Sequence, residues 1–169
     1  MVGVSEPASR QLLARARRHV AAATARASPS PETHRRLVDA LRDAFEAGDA
    51  GALIALLRED AVTITDGGGE TPAALRPIHG RDRILRFFGG VRGKSAADLR
   101  VAVGEVNGLP ALLLRRQATL EDVLAIVPDE AGMIAEMLLV AAPSKLAYAR
   151  RQGLITSGPT SSARAAGPG

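Results

Sequence analysis

Beyond residue 99 the chain carries two turns of the kind that join antiparallel strands. Asn107-Gly108 is a two-residue hairpin signal, because a type I′ turn needs positive φ at both central positions and Asn and Gly tolerate it best. Pro128-Asp129-Glu130-Ala131-Gly132 is a second turn. Apolar residues alternate on either side, which predicts strands over 99–106, 110–117, 119–127 and 132–141. A sheet of this size buries one face, and helices elsewhere in the chain are the natural cover.

Those helices are legible upstream. Ser30 caps and Pro31 opens a helix whose stripe is Leu37, Val38, Leu41, Ala44 and Phe45. Gly48 ends it, and Asp49 caps a short helix carrying Leu53, Ile54, Leu56 and Leu57. Val62-Thr63-Ile64-Thr65 predicts a strand, Asp66-Gly67-Gly68-Gly69 a turn, and residues 73–78 a short returning strand. Gly80 and Asp82 open a helix with Ile84, Leu85, Phe87 and Phe88 inward, expected to stop at Gly89-Gly90. A short helix over 144–152 closes the domain. The fold class is α+β, with helices gathered on one face of a curved antiparallel sheet that encloses a cavity at its mouth.

Residues 5–26 read as a separate basic helix. Ser5 is the cap, Leu12, Leu13, Ala16 and Val20 form a stripe, and arginines occupy the other faces. Two prolines in residues 27–31 make a stiff linker after it. Residues 1–36 carry a net +5 and the remainder −1, so the arm alone suits a polyanion. Of the 22 cations 20 are Arg. With the abundance of Ala and Gly, this reflects a GC-rich genome as well as chemistry. From Thr156 onward Ser, Gly, Pro and Ala dominate, and disorder is expected.

Composition excludes several classes. There is no cysteine, hence no disulfide, thiolate metal site or cysteine nucleophile, which fits a cytoplasmic protein. No apolar run approaches a membrane span, and no signal-peptide core is present. Three scattered His give no metal-ligand spacing, and no metal or cofactor is expected. His19 and His34 fall in the arm and linker. Glu121-Asp122 and Asp129-Glu130 read as solvated turn or edge charges. Aromatic residues, at 2%, offer no stacking platform for single-stranded nucleic acid.

Val2-Gly3-Val4-Ser5-Glu6-Pro7-Ala8-Ser9-Arg10-Gln11-Leu12, with Arg15-Ala16-Arg17-Arg18-His19-Val20, resembles the end of region 4 of extracytoplasmic-function sigma factors. There Gly-Val-Ser is the turn of a helix-turn-helix, and the next helix reads the promoter. Residues 32–152 resemble the SnoaL-like extension that one subgroup of these factors carries, a cone-shaped domain of the nuclear transport factor 2-like type. This second likeness rests on Asp66-Gly67-Gly68-Gly69, on Arg76-Pro77-Ile78-His79-Gly80 with Arg83, and on the Val106-Asn107-Gly108-Leu109-Pro110 turn. The family's Asn-Pro-Asp-Lys-Leu signature stands here as Ala142-Pro143-Ser144-Lys145-Leu146, and Glu70 replaces the basic residue that usually follows the glycines.

The resemblance implies an organisation: a remnant of region 4 over 1–26, a linker over 27–31, a SnoaL-like domain over 32–152 and a disordered tail over 153–169. It implies that Glu6, Ser9 and Arg10 meet base edges while Arg15, Arg17 and Arg18 meet phosphates. Region 2 and the first helices of region 4 have no counterpart here, so the chain resembles the C-terminal part of a longer factor. The implied function is regulatory: the domain modulates RNA polymerase-dependent initiation by docking on sigma regions 2 and 4 through Asp66, Gly67, Gly68, Gly69, Pro143, Lys145 and Leu146. The implied partners are RNA polymerase core and promoter DNA, and related cones also pair as homodimers through the outer sheet face.

The glycine run has two further readings, a plain flexible turn and an anion cradle. It lacks the Lys-Ser/Thr of a P-loop, which argues against nucleotide. Asp66 and His79 are the only acid/base pair on offer for catalysis, and Tyr148, the one tyrosine, lies beyond the last expected strand. The expectation is a non-catalytic domain. The alternative is a stand-alone SnoaL-like enzyme or small-molecule binder of the polyketide cyclase or ketosteroid isomerase type.

Overall fold

The computed structural model describes residues 30–95, 99–117 and 119–157. The basic helix expected over 5–26, with Glu6, Ser9, Arg10, Arg15, Arg17 and Arg18, lies outside them.

Helix α1 (Pro31–Ala47) starts where its cap predicts, with the Thr33 amide donating to Ser30 Oγ at 3.2 Å. It ends at Gly48, whose φ of 68° is the left-handed value glycine accommodates. His34, Leu37, Val38, Leu41 and Ala44 form its buried stripe. His34 therefore belongs to the core and not to a linker. Its Nε2 has no hydrogen-bond partner among the described residues, and burial lowers its pKa. Asp49 caps α2 (Ala50–Leu56) by accepting from the Ala52 amide at 3.0 Å.

Strand β1 (Leu57–Asp66) follows without a loop. The elements after it are β2 (Ile78–His79), α3 (Arg81–Ser95), β3 (Leu99–Val106), β4 (Leu109–Arg116), β5 (Thr119–Pro128), β6 (Ile134–Val140), α4 (Pro143–Arg151) and β7 (Ile155–Ser157). The sheet order is β2-β1-β6-β5-β4-β3-β7. Both Asn107 (φ 52°) and Gly108 (φ 78°) are left-handed, as the hairpin signal requires.

Four sequence expectations change. Of the returning strand expected over 73–78 only Ile78 pairs with β1, continuing into His79, and Pro77 brings no amide donor to a ladder. Helix α3 runs through Gly89-Gly90 to Ser95; neither glycine takes the positive φ that would terminate it. The sheet is not purely antiparallel, since β1 and β6 run parallel, which the long crossover between them permits. Part of the segment expected to be disordered is a strand: Ile155–Ser157 pair with Val106–Gly104 of β3, and Ile155 packs on the sheet. Gly104 makes room for this strand, as a Cβ there would stand 2.5 Å from both the Thr156 carbonyl oxygen and Leu113 Cδ1.

The main core lies between the helices and the concave face, where Leu37, Val38, Leu41, Ile84 and Phe88 meet Leu112, Leu114, Leu124, Ile126 and Met137. A smaller cluster on the outer face holds Ala111, Leu113, Leu120, Val123 and Leu146. At about 1.5–3 kcal/mol for each large side chain, burial of the first cluster dominates stability.

Candidate docking corner

The glycine loop and the start of α4 are distant in sequence and meet in space. Asp66 closes β1, and its main-chain carbonyl accepts from the Ala141 amide at 2.9 Å, fixing the end of β1 to the exit of β6. Its carboxylate receives the Gly68 amide at 2.9 Å and the Lys145 ammonium at 2.6 Å. These two donors, Lys145 foremost, hold the Asp66 carboxyl below the usual carboxylate range.

The loop itself is tightly wound. Gly67 accepts the amides of Glu70 and Thr71 at 2.9 and 3.0 Å, and a Cβ on it would stand 2.0 Å from the Thr71 oxygen. Gly68 (φ 62°) lies against α4, where an added Cβ would stand 2.8 Å from Ala142 Cβ. Gly69 (φ 75°) has open space beside it. Glu70 bonds Ser144, whose hydroxyl donates at 2.5 Å and whose amide donates at 3.3 Å. Two of the three departures from the family pattern, Glu70 and Ser144, are thus partners of each other.

Of the seven expected docking residues, the corner gathers all, with different exposures. Gly68, Gly69, Pro143 and Lys145 are exposed and Gly67 is buried. Leu146 is buried with Ala111, Leu113 and Val123, so it anchors α4 to the sheet and offers nothing to a partner. Each carboxylate at the corner already has a donor, so the site presents a fixed surface rather than a free base.

Asp66 and His79 do not form an acid/base pair. His79 is exposed and faces Val62 across β2 and β1, four residues before Asp66, or about 13 Å along the strand. A different carboxylate is perturbed. Asp122, read from sequence as solvated, faces Leu114 across the ladder and shares the concave face with Leu124 and Ile126. Burial, followed by the neighbouring Glu121 carboxylate, pushes its pKa up to about 6. A β-bulge at Glu121 re-aims this stretch: Asp122 pairs with Leu114 while Leu120 pairs with Arg115. Glu121 turns to Arg116, which donates at 2.9 Å. Strand parity was the available signal, since 122, 124 and 126 share one face.

Among the described residues no helix is long and apolar enough to cross a membrane. No family model matches the chain. Over 92 residues it is 38% identical to the extracytoplasmic-function RNA polymerase sigma factor SigJ of Mycobacterium tuberculosis, a match covering 54% of this chain and 30% of SigJ. The SigJ crystal structure superposes with a TM-score of 0.59 at 27% identity, over 86% of this chain and 52% of that one. This chain is a homologue of an extracytoplasmic-function sigma factor.

A SnoaL-like protein from Burkholderia thailandensis matches at a TM-score of 0.50 and 12% identity, over 64% of this chain and 93% of that one, a likeness of fold alone. The described domain thus has the SnoaL-like, nuclear transport factor 2-like α+β fold expected from its motifs. The chain spans about half the length of the solved sigma factor and under a third of the curated one. Within this SnoaL-like domain the corner of Asp66–Glu70 and Ala142–Lys145 sits at one end of the sheet, where β1 and β6 both finish.

Proposed function

We propose that the SnoaL-like domain regulates a sigma factor by docking its corner on the sigma core, regions 2 and 4, and so modulates RNA polymerase-dependent initiation without catalysis. The observation that carries this reading is the junction of the two signature segments: Lys145 reaches Asp66 at 2.6 Å and Gly68 abuts Ala142. Two sequence-distant motifs that build one rigid surface suit recognition of another surface. The docked arrangement is the compact, inactive one, and its weakening favours polymerase binding in the cytoplasm. The arm residues Glu6, Ser9, Arg10, Arg15, Arg17 and Arg18 contact promoter DNA in the open arrangement.

The test uses a factor in which regions 2 and 4 precede this chain. Gly69→Asn adds bulk to the exposed side of the loop, and Asn tolerates left-handed φ. A coupling of about 1–3 kcal/mol corresponds to roughly 5–150-fold, so promoter output rises at least fivefold in the variant. Unchanged output at equal protein level removes the docking role.

The second reading, a small-molecule-binding cone, draws on Asp122 in place of Asp66 and His79. A concave carboxyl with a raised pKa suits proton transfer next to a carbonyl. Failure of the chain to exchange the α-deuterons of a simple ketone at pH 6 counts against it.

A further inference from the structure

Gly80 (φ 86°) turns the chain from β2 into α3. Its amide donates to the Ala61 carbonyl at 2.8 Å, and its own carbonyl accepts the Arg83 and Ile84 amides at 3.1 Å. The start of α3 is thereby fixed to β1. Ile84 and Phe88 belong to the core. The helical period then turns Asp82, Arg83, Arg86, Gly89 and Gly90 outward, and all five are exposed. Arg81 is half-buried beside them. The first two turns thus hold Arg81, Arg83 and Arg86 against Asp82 alone.

These cations do not serve the helix. Positive charge near a helix N-terminus opposes the macrodipole. Arg42, Arg58 and Arg116 each hold a carboxylate. Among the described residues Arg81, Arg83 and Arg86 enter no ion pair, either with Asp82 or with Glu59, whose main chain lies beside Gly80. The two glycines weaken the helix as well. An added Cβ on Gly89 or Gly90 would meet nothing within 4 Å, so the surface past Arg86 is bare backbone facing open space.

We propose that this face, Arg83 and Arg86 with the Gly89-Gly90 backbone after them, contacts the phosphate backbone of duplex DNA. Residues three apart on a helix stand about 5–6 Å from each other, and each planar guanidinium can take a phosphate through two N–H groups. The absent side chains at Gly89 and Gly90 let a sugar-phosphate strand lie close against the helix. The chemistry of the face separates DNA from other anionic partners. Protein interfaces carry an apolar centre, and among the described side chains of α3 no large apolar one is exposed. Single strands need aromatic platforms, and Phe88 is buried and Phe87 half-buried. The face lies apart from the Asp66–Lys145 corner, since Gly80 is held at Ala61, further back along β1. It stands whether or not that corner docks on a sigma core, and it places a DNA contact on the domain itself, besides those proposed for the arm.

Binding of the full chain to a short labelled duplex of arbitrary sequence is followed by fluorescence anisotropy over a range of salt. The logarithm of affinity falls with the logarithm of salt by about 0.9 for each phosphate neutralised. In Arg83→Gln/Arg86→Gln the slope becomes shallower by about 1.8, while the melting temperature is no lower than the parent's, because no ion pair is lost. Arg83→Lys/Arg86→Lys keeps the parent slope. An unchanged slope in the glutamine variant overturns the proposal and leaves all DNA binding to the arm. So does displacement of the duplex from the parent chain by polyglutamate at equal charge, which assigns the face to an acidic protein.

Discussion

The Lys145 ammonium lies 2.6 Å from the Asp66 carboxylate although 79 residues separate them in sequence. This contact joins the glycine loop to the first turn of α4 and makes the two signature segments one surface.

Loss of the ammonium releases the Asp66 carboxyl. In Lys145→Met its pKa, followed by carbon NMR, moves up toward the ordinary aspartate value. A depressed folded pKa contributes stability at pH above the unfolded value, lost as pH falls through the folded one. The melting difference between parent and variant is therefore present at neutral pH and vanishes in acid. An Asp66 titration identical in both chains contradicts the contact.

Gly68 and Gly69 respond differently to the same substitution. Gly69→Ala meets only the strain of left-handed φ, about 1–2 kcal/mol. Gly68→Ala meets that strain and the Ala142 methyl, 2.8 Å from the new Cβ. Chemical denaturation finds Gly68→Ala the more destabilised by at least about 1 kcal/mol, and Ala142→Gly recovers that difference in a double-mutant cycle. Additive effects in the cycle would show that the two segments do not touch.

Asp122 makes the domain less stable as pH rises. The folded state keeps its proton up to about pH 6, while the ordinary value is 3.8, so stability falls as pH climbs between them. Partial exposure screens the effect, and Asp122→Asn stabilises at pH 7 by about 1 kcal/mol and not at all near pH 4. Equal stability gains at both pH values contradict a raised pKa.

Strand β7 depends on the missing side chain at Gly104. Gly104→Val displaces it, because the Thr156 carbonyl would lie within 2.5 Å of the new Cβ. Amide exchange at Ile155 and Thr156 speeds up in the variant while the β4–β5 ladder stays protected. Retained protection at both residues contradicts the pairing.

Much of the fold was legible because it is written in local signals. The Ser30 and Asp49 caps, the Gly48 stop and the Asn107-Gly108 hairpin each depend on a few neighbouring residues. The parallel β1–β6 pairing was not legible, because it is set by a crossover through most of the domain. Nor was β7, whose Ile155-Thr156-Ser157 looks like the polar tail after it until Gly104 and Leu113 give it a place. Gly89 and Gly90 misled, since a glycine stops a helix only where the chain leaves helical φ. The corner was named segment by segment from family signatures, but its internal bonds were not foreseen. Glu70 and Ser144, which look like losses when taken singly, compensate each other across 74 residues. Asp122 reads as solvated because an acidic doublet usually lies at the surface, although strand parity with Leu124 and Ile126 places it inward.

The docking role is tested most directly by asking what touches the corner. In a factor with regions 2 and 4 ahead of this chain and no other cysteine, Gly69→Cys carries a photoreactive group. A cross-link is expected from residue 69 to region 2, region 4 or the segment between them, and its loss when polymerase core is added. A residue 69 probe that reacts with solvent alone, in a factor whose promoter output still depends on this domain, contradicts it.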